Sequence, residues 1–143
     1  MEWRPDLLLA LAVLIVGCSG TTEGDLEAAE DRWAASGVSS YELEVRLTCL
    51  CPPDVAGPFD ITVSDDEIAE VQYEGAVIEP TDATPKMAFT VEGLFGIVRE
   101  NLSADALSVT YDDELGYPTL IDIDQDSDAV DDEWRVSADL TTP

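Results

Sequence analysis

Three groups of side chains have types and spacing that could carry chemistry. Cys49 and Cys51 are separated by one residue, so an extended chain points both to the same face. They read either as a redox-active dithiol or as a structural clip at the end of a strand. The clip is expected, because no His, Lys or helix N-terminus stands nearby in the sequence to lower a thiol pKa. A regular strand holds the Cα atoms of such a pair near the upper limit for a bridge, so a disulfide needs a local bend, which Pro52 and Pro53 can supply. The second group is Asp122, Asp124, Asp126 and Glu133, which match the acidic positions 1, 3, 5 and 12 of a calcium loop. Ser127 stands where that loop requires Gly, and the flanking segments read as strands rather than helices. Ca2+ is therefore the one cofactor the chain suggests, set against a solvated acidic hairpin loop. The third is Tyr117 in the turn Gly116-Tyr117-Pro118, which reads either as a core residue or as an exposed aromatic contact for a partner.

Composition removes other chemistries. The 143 residues hold 32 Asp plus Glu against 6 Lys plus Arg, for a net charge of −26, and no His. A nucleic-acid binder is not expected, since phosphate contacts need clustered Lys and Arg. Without His the usual general base and the commonest zinc ligand are missing. No Gly-x-Ser-x-Gly, P-loop or Gly-x-Gly-x-x-Gly is present. Acid pairs of the kind used in glycoside hydrolysis are guaranteed by the composition and so carry no information. The acids are spread along the chain, which favours the surface of a salt-adapted protein over one selected for cations or a basic partner.

The third Cys has a different context. Leu7 to Val16 is an unbroken apolar run, too short to span a bilayer but suited to the core of an export signal. Ile15-Val16-Gly17-Cys18 follows on from it and resembles the bacterial lipobox. That resemblance implies diacylglycerol on the Cys18 sulfur, cleavage before it, and acylation of the new amine. Arg4 is offset by Glu2 and Asp6 in the leading segment. The alternatives are an ordinary Cys after a cleavable signal and an uncleaved membrane-surface anchor. Ser19, where Asp would signal inner-membrane retention, favours the outer membrane in a Gram-negative cell. The expected layout is a signal peptide over 1–17, a flexible spacer over 18–24 and a single domain over 25–143.

The elements that would position these groups follow from periodicity. Leu26, Ala29 and Trp33 predict a helix over Asp25–Ser36, closed by Gly37. Tyr41 to Cys51 alternates apolar and polar residues and predicts a half-buried strand. Strands through Phe59–Val63 and Ala69–Tyr73 complete a meander, and a Pro-rich loop is expected over 79–89. Thr90 should cap a second helix, with Val91, Leu94, Phe95, Val98 and Leu102 as its apolar stripe. Three more strands are predicted through Leu107–Tyr111, Thr119–Asp124 and Trp134–Leu140. The fold class is therefore α+β: one antiparallel sheet of about six strands in α-β-β-β-α-β-β-β order, with both helices on one face.

In that order of elements, several motifs resemble a known family. They are the Trp33 helix, Tyr41-x-x-x-Val45, Cys49-x-Cys51-Pro52, Val91-x-x-Leu94-Phe95, Tyr111-Asp112, Gly116-Tyr117-Pro118, Ile121-x-Ile123-Asp124 and Asp131-Asp132-Glu133. Together they look like the bacterial domain-of-unknown-function family 6174, which consists of small lipoproteins. The resemblance implies no activity and transfers no catalytic residue. The functional expectation is a lipid-anchored, non-enzymatic binding or assembly module of the cell envelope. Its partners would be the membrane, through the N-terminal lipid, and an envelope protein. The alternative is a calcium-binding or redox-active envelope protein.

Overall fold

The computed structural model describes residues 21–79 and 90–143. The signal peptide, Cys18 and nearly all of the expected 79–89 loop lie outside them. Helix α1 spans Glu23–Ser36, two residues earlier than predicted. A capping box starts it there: the Thr22 hydroxyl accepts from Asp25 N–H, and the Asp25 carboxylate accepts from Thr22 N–H. Thr21 is bonded as well, its N–H donating to the Leu107 carbonyl at 3.1 Å. At Thr21 and Thr22, within the stretch expected as a spacer, these short polar side chains satisfy backbone groups at a helix start and a strand edge. Gly37 adopts the left-handed conformation that ends α1.

Strand β1 (Tyr41–Thr48) buries every second side chain and ends before the Cys pair rather than through it. A one-turn helix α2 (Pro53–Ala56) follows, in place of a plain loop. Strands β2 (Phe59–Ser64) and β3 (Glu67–Tyr73) are joined by Asp65 and Asp66, both at positive φ, which is the two-residue hairpin geometry that matches strand twist. The same geometry recurs at Glu74 and Gly75, and it returns the chain into a two-residue strand β4 (Ala76–Val77). That extra strand makes the sheet seven-stranded, where about six were expected. Helix α3 is Val91–Glu100, capped by the Thr90 hydroxyl on Gly93 N–H at 2.9 Å. Strands β5 (Ala106–Tyr111), β6 (Pro118–Asp124) and β7 (Glu133–Thr141) complete the chain.

All strands join one antiparallel sheet in the order β4-β3-β2-β1-β7-β6-β5. The first and last strands pair at its centre and splice two meanders together. One core forms where α1 and α3 pack on a single face: Leu26, Ala29 and Trp33 of α1 and Val91, Leu94, Phe95 and Val98 of α3 lie over Leu43, Val45, Ile61, Ile121 and Val136. Trp33 meets Tyr41 edge to face, with ring centroids 5.5 Å apart, and its indole N–H donates to Glu92. The Tyr41 hydroxyl accepts from Val91 N–H at 3.0 Å, satisfying a backbone donor at the start of α3. Asn101, buried at the other end, donates to the Ile97 carbonyl and accepts from Gln125.

Candidate functional site

With both long helices on one face, no helix among the described residues covers the other face of the sheet. The alternation that sends Tyr41, Leu43, Val45 and Leu47 into the core sends Glu42, Glu44, Arg46 and Thr48 outward. Strand register then decides which outward side chains become neighbours. Glu44 sits opposite Asp60 on one side and Asp139 on the other, so three carboxylates stand in a row across β2, β1 and β7. Like charges placed directly opposite one another repel. Thr48, Arg135, Asp122 and Ser108 form another row, and within it Arg135 donates to Asp122. That contact and the neighbouring charge raise the Arg135 pKa.

The face is not flat. A groove of about 640 Å³ lies over β5, β6 and β7, with Leu50, Ser108, Asp124, Trp134 and Arg135 in its walls. A smaller groove of about 410 Å³ lies over β1 and β2, lined by Glu42, Glu44, Asp60, Gln72 and Asp139. The first mixes apolar and charged walls. The second holds four carboxylates and no basic side chain.

The predicted site residues distribute unevenly over this surface. Cys49 and Cys51 form a disulfide with Cα atoms 5.2 Å apart, in the bend after β1. Cys49 is partly buried against the core and borders the larger groove. A helix start, which the sequence did not lead us to expect, does stand beside the pair. Pro52 and Pro53 open α2 without backbone N–H groups, however, and Asp54 places a negative charge in its first turn. This surrounding does not stabilise a thiolate, so it favours a clip.

The residues of the calcium-loop expectation are Asp122, Asp124, Asp126 and Glu133. These residues lie along a β-hairpin instead of around a common centre. Asp122 is engaged by Arg135, Asp124 faces Glu133 across the ladder, and Asp126 accepts from Asp128 N–H in the turn. Ser127, at the place of the missing Gly, donates through its N–H and hydroxyl to Asp105. Among the described residues, no group of three or more Cys, Asp or Glu is arranged to hold a metal ion.

Tyr117 is corrected as a surface contact. It is only 5% exposed, and its hydroxyl accepts from Leu140 N–H at 3.2 Å. Gly116, at φ 84°, passes so close under α1 that a Cβ there would lie 2.5 Å from the Ala29 carbonyl oxygen. The Gly-Tyr-Pro turn is thus a latch between α1 and the sheet.

A model of the family of unknown function DUF6174 matches residues 25–142. The chain belongs to this family. No curated protein and no solved structure matches it. In this DUF6174 domain, the residues that carried the resemblance hold the core together: Trp33, Tyr41, Val45, Phe95, Tyr117 and Ile121 are all buried. The groove residues Ser108, Arg135 and Asp139 were not singled out from the sequence. Alternation marks them as outward-facing, but nothing local reveals which strands are neighbours. Among the described residues, no helix is long and apolar enough to cross a membrane.

Proposed function

We propose that this DUF6174 protein is a non-catalytic binding module of the cell envelope. A lipid on Cys18 holds it to the membrane, and its uncovered sheet face docks an envelope protein. The observation that carries the docking half is that face itself: seven strands with no covering layer among the described residues, hollowed by the grooves of about 640 and 410 Å³. Leu50, exposed to solvent in the wall of the larger groove beside Asp124 and Arg135, offers such a partner an apolar contact. The anchoring half is supported by the apolar run ending in Gly17-Cys18. The apolar and aromatic residues that carry the resemblance, Trp33, Tyr41, Val45, Phe95, Tyr117 and Ile121, are occupied in packing, so no catalysis is assigned to them.

Two measurements test the two halves. Intact-mass analysis of protein extracted from native membranes is expected to find Cys18 as the first residue, carrying diacylglycerol and an N-acyl chain. A chain that keeps Met1 and an unmodified Cys18 sulfur would remove the anchor. For docking, a photo-crosslinking residue at Ser137, central on the uncovered face, is compared with one at Glu27 on α1. A discrete adduct from Ser137 alone is expected, and it should weaken in an Asp139→Lys variant. Identical adduct patterns from both positions would reject the sheet face as the docking surface.

A further inference from the structure

Thr21 lies three residues beyond Cys18, and both of its polar groups reach β5. Its N–H donates to the Leu107 carbonyl at 3.1 Å, and its hydroxyl accepts from Val109 N–H at 2.8 Å. Because β5 ends the sheet, Thr21 lies along the outer edge of that strand. The next residue, Thr22, caps α1. The chain at this point is held by a strand edge and a helix start together. Three residues span at most about 11 Å, so a lipid on Cys18 cannot stand far from the β5 edge.

Charge supplies a second, independent observation. Strand β5 reads ALSVTY and has no ionisable group other than Tyr111, and residues 18–22 (CSGTT), which remain after cleavage before Cys18, carry no charged side chain. Each of β1, β2, β3, β6 and β7 contains at least one Asp or Glu. The acids that flank this edge, Asp105 before β5 and Asp112, Asp113 and Glu114 after it, lie at the ends of the strand and not along it. A bilayer with anionic lipid has a negative surface potential that fades over a Debye length, about 8 Å at physiological salt. For a chain of charge −26, leading with any other long strand puts that strand's own carboxylates against the headgroups, whereas with β5 in front the acids of β6, Asp122 and Asp124, stand one strand spacing farther back.

We infer that the neutral β5 edge, with Thr21 laid along it, is the edge that faces the lipid surface. This rests on the Cys18 anchor proposed above. The sheet then stands edge-on to the bilayer, with β5 nearest and β4 about six strand spacings away, roughly 29 Å. Both faces stay open to the side. The larger groove, which includes Ala106 and Ser108 of β5, occupies the membrane-proximal half of the uncovered face, and the Asp60–Glu44–Asp139 row sits farther out.

The test uses full-length protein carrying its native anchor, in phosphatidylethanolamine/phosphatidylglycerol vesicles with a headgroup-attached quencher. With Cys18 acylated and Cys49 bridged to Cys51, one introduced thiol is the sole labelling site. A fluorophore at Ser108→Cys, or at Thr110→Cys as a second β5 site, is expected to be quenched at least threefold more than one at Val77→Cys on β4. Inserting ten Gly/Ser residues between Gly20 and Thr21 should shrink that difference. Equal quenching at both edges, or stronger quenching at Val77, in protein that floats with the vesicles overturns the orientation while leaving the anchor standing. Protein that does not float overturns the anchor and the orientation with it.

Discussion

Gly116 and Gly75 have similar positive φ angles, 84° and 78°, but very different surroundings. A Cβ on Gly116 would meet the Ala29 carbonyl oxygen at 2.5 Å and Arg32 Cβ at 2.8 Å, whereas nothing lies within 4 Å of one on Gly75. Gly116→Ala is therefore expected to cost about 3 kcal/mol, through backbone strain and displacement of α1. Gly75→Ala should cost about 1 kcal/mol, from the left-handed conformation alone. Urea denaturation of the two variants measures the difference, and equal losses would mean that the turn does not press on α1. The tyrosines make a separate residue-level prediction. Burial pushes the Tyr41 and Tyr111 phenols up to about 12, and Tyr73 and Tyr117 are also raised. The unfolded chain loses these protons near pH 10 while the folded chain keeps them, so stability declines as pH rises from about 10 to 12 and is unaffected by them below. Absorbance titration should show phenolate appearing late and together with loss of structure. Early, reversible ionisation of all four in folded protein would contradict the burial.

Among the elements, β1 carries the most consequential arrangement. Its Glu44 stands between Asp60 and Asp139, and opposed like charges destabilise a ladder. Glu44→Gln is expected to stabilise the domain on the order of 0.5 kcal/mol at low ionic strength, with the gain fading in molar salt. A variant less stable than the parent under both conditions would show that Glu44 makes a favourable contact outweighing that repulsion. The Cys49–Cys51 bridge closes a loop with only Leu50 between its ends, so it removes little entropy from the unfolded chain. Reduction should lower the unfolding free energy by less than about 2 kcal/mol. A larger loss would assign the bridge a packing role beyond that of a clip. Both features were partly legible in the chain: alternation put Glu44 outward and the Cys pair on one face. The partners of Glu44 were not, because register between strands is set by hairpin turns and by the pairing of β1 with β7, far apart in sequence.

For the whole molecule, the charge of −26 sets the dominant long-range force. Self-repulsion is relieved when the native state is screened, so raising NaCl from about 0.05 to 1 M is expected to raise Tm by roughly 5–10 °C. Calorimetric scans across that range check this, and a flat or falling Tm would show that the acids are already compensated within the fold.

What was legible without coordinates is what local periodicity and chemistry control. Helices α1 and α3, the alternating strands, the α+β class and the inward set Trp33, Tyr41, Val45, Leu94 and Phe95 all follow from patterns a few residues long, because burial acts on each element's own face. The start of α1 was misplaced because a capping box is a side-chain geometry, and β4 was overlooked because a two-residue strand has no period. Tyr117 and the 122–133 acids were ambiguous for a deeper reason. Whether an aromatic in a turn is wet or dry, and whether four carboxylates converge or line up, depends on which elements come to lie against it. Here α1 lay over the Gly116 turn and buried Tyr117, while the β6–β7 ladder spread the acids along a surface. Those outcomes belong to contacts between distant segments, which tertiary packing alone could settle.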